Sequence, residues 1–499
     1  MSELILAIDQ GTTGSQAVLF SADTLKLVAH AKVEFPQHFP KPGWVEHDPE
    51  EIWKSVSEAL RLALEQAEEH IPAARQKIIG IGITNQRETL VGWNKRSGEL
   101  AGNAIVWQDR RTADACAQLK SDSAIRNHVE LTTGLLLDPY FSASKAKWLL
   151  QNHVKTAGWA ASGELALGTI DSFLMYRLSG NKAHCTDHTN ASRTMLYSLT
   201  KGDYDEELLK IFGVPREALP AINPSIGMFM KTSGHPILPD GIPVMGCLGD
   251  QQAALFGHLC TLPGEGKITF GTGSFLLSPI GEVPVKPKGG LLCSVALSSS
   301  NSRTFALEGS VFVAASALQY LKDKWGWFSD SRESEALAQS EPRDPNVTVI
   351  PAFTGFGAPY WNPNAKAAIL GLSLGTSRAQ IVRGMLEAIA LQNVALVELM
   401  SESSGKRITR LGIDGGASNN KLLMQFQSDV LQATLVRPAH SEITALGAAR
   451  AALQALGHPG AMVPPEAACS FDPKMTEAEA SQICSSWQKA AACINELYS

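Results

Sequence analysis

Seven consecutive residues near the amino terminus, Asp9-Gln10-Gly11-Thr12-Thr13-Gly14-Ser15, bring three chemistries to one turn. Glycine lets backbone N–H groups come close to a phosphate, and the Thr and Ser hydroxyls can donate to its oxygens. A carboxylate at a strand end can hold magnesium through water. Phosphoryl transfer needs those parts together with a base for the attacking hydroxyl. The same residues also suit a plain glycine-rich hairpin turn. Gly271-Thr272-Gly273 and Asp414-Gly415-Gly416-Ala417 are each ordinary turns when read alone, but three glycine-rich turns at strand ends favour a nucleotide cleft.

Asp250 follows an apolar run and precedes an apolar helix, where a lone carboxylate could be a general base or simply an N-cap. Arg87-Glu88 could grip adjacent hydroxyls, Arg donating and Glu accepting, or form a surface ion pair. Trp107, Tyr140 and Phe275 could line a pocket or belong to the core. No Gly-x-x-x-x-Gly-Lys-Ser/Thr occurs, because Gly264-Glu265-Gly266-Lys267-Ile268 lacks both spacing and hydroxyl, which disfavours a P-loop. Gly80-Ile81-Gly82 has no third glycine at the right spacing, which disfavours a dinucleotide site.

The elements that must position these residues read as two similar halves. In the first, strands at 4–8 and 17–20 flank the Asp9 turn, a third runs over 26–35, and a fourth over 78–84 ends in Asn85-Gln86-Arg87-Glu88. A helix begins with Asp48 as N-cap, Pro49 at its first position and Glu51 completing a capping box; its apolar face carries Ile52, Val56, Leu60 and Ala63 or Leu64. In the second, a strand at 243–248 runs into Gly249-Asp250-Gln251-Gln252 and a helix at 253–259. Thr261 to Gly266 reads as a hinge, followed by strands at 267–270 and 274–277 around the Gly-Thr-Gly turn. Later come strands at 347–353 and 410–414, a helix at 377–400 and a small-residue helix at 445–452. This predicts a degenerate duplication and two α/β domains facing a cleft.

At 499 residues, two domains are the default. A net charge of −6 provides no basic field for nucleic acid or an anionic membrane. Eight dispersed cysteines without CxxC pairs fit neither zinc nor a disulfide framework and point to a reducing cytosol. The amino terminus lacks the pattern of a signal peptide, and no run suggests a membrane span.

With these segments aligned, the chain resembles the FGGY carbohydrate kinases, which share the actin and hexokinase fold, and among them those acting on glycerol. The stretches that carry the resemblance include 41–49, 82–89, 103–108, 138–142, 189–195, 249–257 and 351–361, so it spans nearly the whole chain. It implies two actin/hexokinase-like (ribonuclease H-like) α/β domains facing a central ATP and substrate cleft. Residues 1–255 would bind the polyol and carry the first phosphate loop, and residues 262–499 would bind the nucleotide.

By the same resemblance Asp250 is the catalytic base. Arg87, Glu88, Tyr140, Asp250 and Gln251 hold glycerol hydroxyls, and Trp107 and Phe275 pack on its carbon face. Thr12, Thr13, Ser15, Gln16, Thr272, Gln319, Gly416 and Asn420 match ATP-binding positions, with Asp9 near Mg2+. A cytoplasmic homodimer or homotetramer is implied. Rival readings are a kinase of xylulose, erythritol or another polyol, and a nucleotide-binding sensor without catalysis.

The chain departs from the family's pattern at three positions. Gly14 and Gln16 replace a Ser and an Arg of the phosphate loop, and Ala315 replaces a Gly. Loss of the Arg removes a cation beside the phosphates unless another Lys or Arg substitutes. The effector loop and C-terminal partner surface of some bacterial members have no recognisable counterpart in 226–240 and 471–499.

Overall fold

The structure, a computed structural model, describes residues 3–499 except Pro359, Trp361 and His440. Pro359 and Trp361, in the 351–361 stretch, therefore lie outside the described residues.

Strand Leu4–Gln10 is buried along its whole length because helices cover both faces of its sheet. Leu4, Leu6 and Ile8 face helix Pro49–Glu68, whereas Ile5 and Ala7 face helix Ile443–Ala455 from the far end of the chain. Asp48 caps the first of these helices by accepting from the Glu50 N–H, with Pro49 at its start. Glu51 does not close a capping box; its carboxylate pairs with His38 Nε2 at 2.8 Å.

In the first sheet the strands run in the order Ile226–Lys231, Pro243–Gly249, Ile78–Asn85, Leu4–Gln10, Gly14–Ser21, Leu27–Glu34. Leu4–Gln10 forms an antiparallel hairpin with Gly14–Ser21, which pairs antiparallel with Leu27–Glu34. On the other side Leu4–Gln10 pairs parallel with Ile78–Asn85, which in turn pairs parallel with Pro243–Gly249. The second sheet repeats the pattern. Glu265–Phe270 and Ser274–Gly281 form the hairpin, Arg303–Val311 is the antiparallel third strand, and Arg410–Asp414 and Thr434–Pro438 are the two parallel ones. Five strands of matching order and direction in each half bear out the expected duplication. Each Gly-Thr turn is closed by its first glycine, Gly11 N–H donating to Gly14 O and, in a turn one residue shorter, Gly271 N–H to Gly273 O, each at 2.9 Å.

The halves exchange helices. Asp250–Gly257 leaves the first sheet and packs against strands of the second, while Ile443–Ala455 leaves the second and packs on the first. The two helices cross backbone to backbone: a Cβ on Gly447 would lie 1.8 Å from Ala253 O, and one on Gly257 would lie 2.2 Å from Ile443 O. The run of small residues at 445–452 exists to permit that approach.

One further expectation needs correction. The strand over 347–353 is confined to Thr348–Ile350, because Pro351 ends it and supplies no ladder donor. Helix Arg378–Ser404 is, by length and hydropathy, capable of crossing a membrane. Most of its surface is nevertheless buried in the core of the second half, and the capping box of Ser377 and Gln380 defines its start.

Candidate active site

Strand Ile78–Asn85 ends beside Gly249, the residue before helix Asp250–Gly257, and the turn after the strand carries Arg87 and Glu88, both buried. Glu88 has φ of +61°, a left-handed conformation that costs a non-glycine residue energy and marks an enforced geometry. Asp250 is the first residue of its helix; Gly249 occupies the cap position, so the N-cap alternative for Asp250 does not hold. Its Oδ1 accepts from the Gln251 N–H at 2.7 Å and lies 3.2 Å from Arg87 Nε.

Burial raises the Asp250 carboxyl above the usual range, against the pull of Arg87 and Lys267. Its side chain still keeps 31% of its surface open to the cleft. A carboxylate in that position can take a proton from an entering hydroxyl near neutral pH.

Arg87 is held from behind. Its two terminal nitrogens donate to the two oxygens of Glu308, each at 2.8 Å, and Nη1 also donates to Gln252 Oε1 at 3.2 Å. Arg193 adds a second cation, with Nε donating to Glu88 Oε1 at 2.5 Å and Nη1 lying 3.2 Å from Glu308. Burial works to raise the Glu308 carboxyl, but Arg193 and Arg87 hold it down at about 2. The guanidinium of Arg193 stacks over Tyr140 and Phe141 at 5.6 and 5.2 Å. Tyr140 meets Trp107 edge to face at 5.6 Å, and the Trp107 indole N–H donates to Thr12 Oγ1 at 3.0 Å. Arg193, Tyr140, Trp107 and the first glycine-rich turn are thus one connected wall.

From the second half comes Lys267, fully buried, donating to Gln251 Oε1 and to Thr269 Oγ1. Burial lowers its pKa, against the pull of Asp414 and Asp250. Asp414 also accepts from His258 Nε2 at 2.9 Å.

Asp9 is the penultimate residue of strand Leu4–Gln10, with 8% exposure. Burial first, then the charges of Asp250 and Glu442, raise its carboxyl to about 7, with Lys32 pulling it back down. A carboxylate at this strand end is a hard oxygen ligand of the kind a divalent cation takes together with water.

The remaining expected positions are spread around the two turns. Thr13 and Thr272 are exposed and Thr12 half-buried. Ser15 is fully buried, its hydroxyl paired with Ser55 at 2.8 Å, and so turned from the cleft. Gln16 Oε1 pairs with His30 Nε2 at 2.7 Å. Gly416 opens a short 3-10 turn with empty space where a side chain would stand. Asn420 caps helix Lys421–Leu431 through the Leu423 N–H, and Gln319 bonds Asp323 on the surface of helix Ala315–Trp325. Phe275 lies half-buried on the strand after the second turn, opposite Thr269. Ala315 donates its N–H to Gly271 O at 3.1 Å, tying that helix to the second turn.

Sequence reasoning missed Glu308, Arg193 and Lys267. The available signals were a charged residue inside an otherwise apolar or small-residue run, as in Ala306-Leu307-Glu308-Gly309, and, for Arg193, its place in the 189–195 stretch.

Two like-folded α/β halves, each lending a glycine-rich turn to a shared cleft with a carboxylate at its floor, define a two-domain phosphotransferase architecture. Residues 4–257 match the N-terminal domain, and residues 266–456 the C-terminal domain, of the FGGY family of carbohydrate kinases. The chain belongs to that family. It is 49% identical to the glycerol kinase of Bdellovibrio bacteriovorus over 90% of both chains. It is 45% identical to that of Alkalilimnicola ehrlichii over 98% of this chain and 97% of the relative. A crystal structure of Plasmodium falciparum glycerol kinase with ADP superposes with a TM-score of 0.93 at 32% identity, covering 99% of this chain and 98% of that one.

Proposed function

We propose that this protein transfers the γ-phosphate of ATP to a terminal hydroxyl of glycerol, giving glycerol 3-phosphate and ADP. The observation that carries the reading is the placement of Asp250 beside Arg87 on a wall continuous with Glu88, Tyr140, Trp107 and Thr12. The names of the curated relatives agree with it.

In this reading Arg87 and Glu88 orient the hydroxyls, with Gln251 beside them, and Trp107, Tyr140 and Phe275 cover the carbon face. Asp250 accepts the proton of the attacking hydroxyl. The turns at Thr12–Thr13 and Thr272, with Gly416 and Asn420, receive the nucleotide, and closure of the halves expels water that would otherwise compete. Asp9 is the residue that fits magnesium; when bound, the ion neutralises charge on the transferring phosphate. Two further parts of the proposal are a homodimer or homotetramer and a reducing cytosol.

An assay of magnesium-dependent ADP formation with glycerol, xylulose and erythritol tests the reading. Glycerol-dependent release supports it, a preference for another polyol replaces it with a sister activity, and no polyol-dependent release points to a nucleotide sensor.

A further inference from the structure

Asp9, Gln16 and Lys32 stand side by side on three adjacent strands, Asp9 opposite Gln16 and Gln16 opposite Lys32. Residues in direct register share a sheet face with Cβ atoms about 5 Å apart, and the face here is the one that carries Ile5, Ala7, Val18 and Phe20 toward helix Ile443–Ala455. We propose that Lys32 supplies the phosphate-facing cation that the first turn lacks at position 16, an inference that rests on the nucleotide site proposed above.

Three observations carry it. The Lys32 side chain runs along its strand toward the turn, its Cε lying 3.4 Å from where a Cβ on Gly14 would stand, while the glycine itself is required by the backbone of the neighbouring strand, Val33 O lying 2.9 Å from that point. Lys32 is exposed, and its side chain has no hydrogen-bond or ion-pair partner among the described residues. Gln16, by contrast, is already committed to His30. The departure at 16 and the lysine at 32 thus form one rearrangement: the positive charge moves one strand outward. A flexible ammonium suits a phosphate as a point charge without bidentate geometry.

Four proteins test it: wild type, Lys32→Met, Gln16→Arg and the double variant. ADP affinity is read by calorimetry without magnesium, and KM for ATP and for glycerol is measured separately. Lys32→Met should weaken ADP roughly fivefold to tenfold and raise KM for ATP with KM for glycerol unchanged. Gln16→Arg should restore affinity in the Lys32→Met background while adding little to wild type. Wild-type ADP affinity in Lys32→Met, or an equal gain from Gln16→Arg in both backgrounds, overturns the inference. Absence of glycerol turnover in wild type that still binds ADP would instead overturn the proposed activity and leave the assignment of Lys32 standing on the binding data.

Discussion

Arg87 and Glu308, 221 residues apart in the chain, meet through two parallel hydrogen bonds of 2.8 Å each. One residue follows the fourth strand of the first sheet and the other lies on the antiparallel third strand of the second. The ion pair therefore spans the two halves, and the residue assigned to grip the polyol is oriented from the opposite side of the cleft.

Glu308→Gln should leave Arg87 and Arg193 buried with less counter-charge. Breaking a buried pair on one side costs about 3 to 5 kcal/mol, so a fall in the midpoint of urea unfolding is expected together with a raised KM for glycerol. KM for ATP should move much less. Equal changes in both constants would show that Glu308 does not orient Arg87 for the polyol.

Asp250→Asn preserves shape and removes the base. Turnover should fall by about two to four orders of magnitude, with ADP affinity and circular dichroism retained. Near-wild-type turnover in a folded variant would remove Asp250 from the chemistry.

Asp9 carries a pH dependence with a definite sign. Its carboxyl rises from 3.8 to about 7 on folding, so across that window the folded protein keeps a proton that the unfolded chain has released. Stability of the ligand-free protein should therefore decline as pH rises between those values. Asp9→Asn removes the penalty and should raise the melting temperature at pH 8, by up to a few kcal/mol of stability, with little change at pH 4 and loss of turnover. A variant less stable than wild type at pH 8 would contradict this account.

Gly447 sits where the exchanged helices cross. Gly447→Val would force a side chain into Ala253 O, and overpacking of this kind costs about 1 to 3 kcal/mol or more. A lowered melting temperature is expected; an unchanged one would mean that the helices separate without cost.

Much of this protein was legible along the chain. Local rules suffice where the determinants are neighbours, so the Pro49 helix start, the hairpins around Gly11 and Gly271, and the Asp9, Arg87 and Asp250 turns were all open to reading. Their repetition half a chain apart also announced two similar domains. Only the tertiary structure decided that the helix after each fifth strand crosses to the other half, that Ser15 turns inward to Ser55, and that Glu308, Arg193 and Lys267 stand behind the site. Those outcomes depend on contacts between residues tens to hundreds of positions apart, and a charge within an apolar run does not disclose which opposite charge will neutralise it. The same holds for Lys32, an unremarkable surface lysine until strand register sets it beside Gln16 and Asp9.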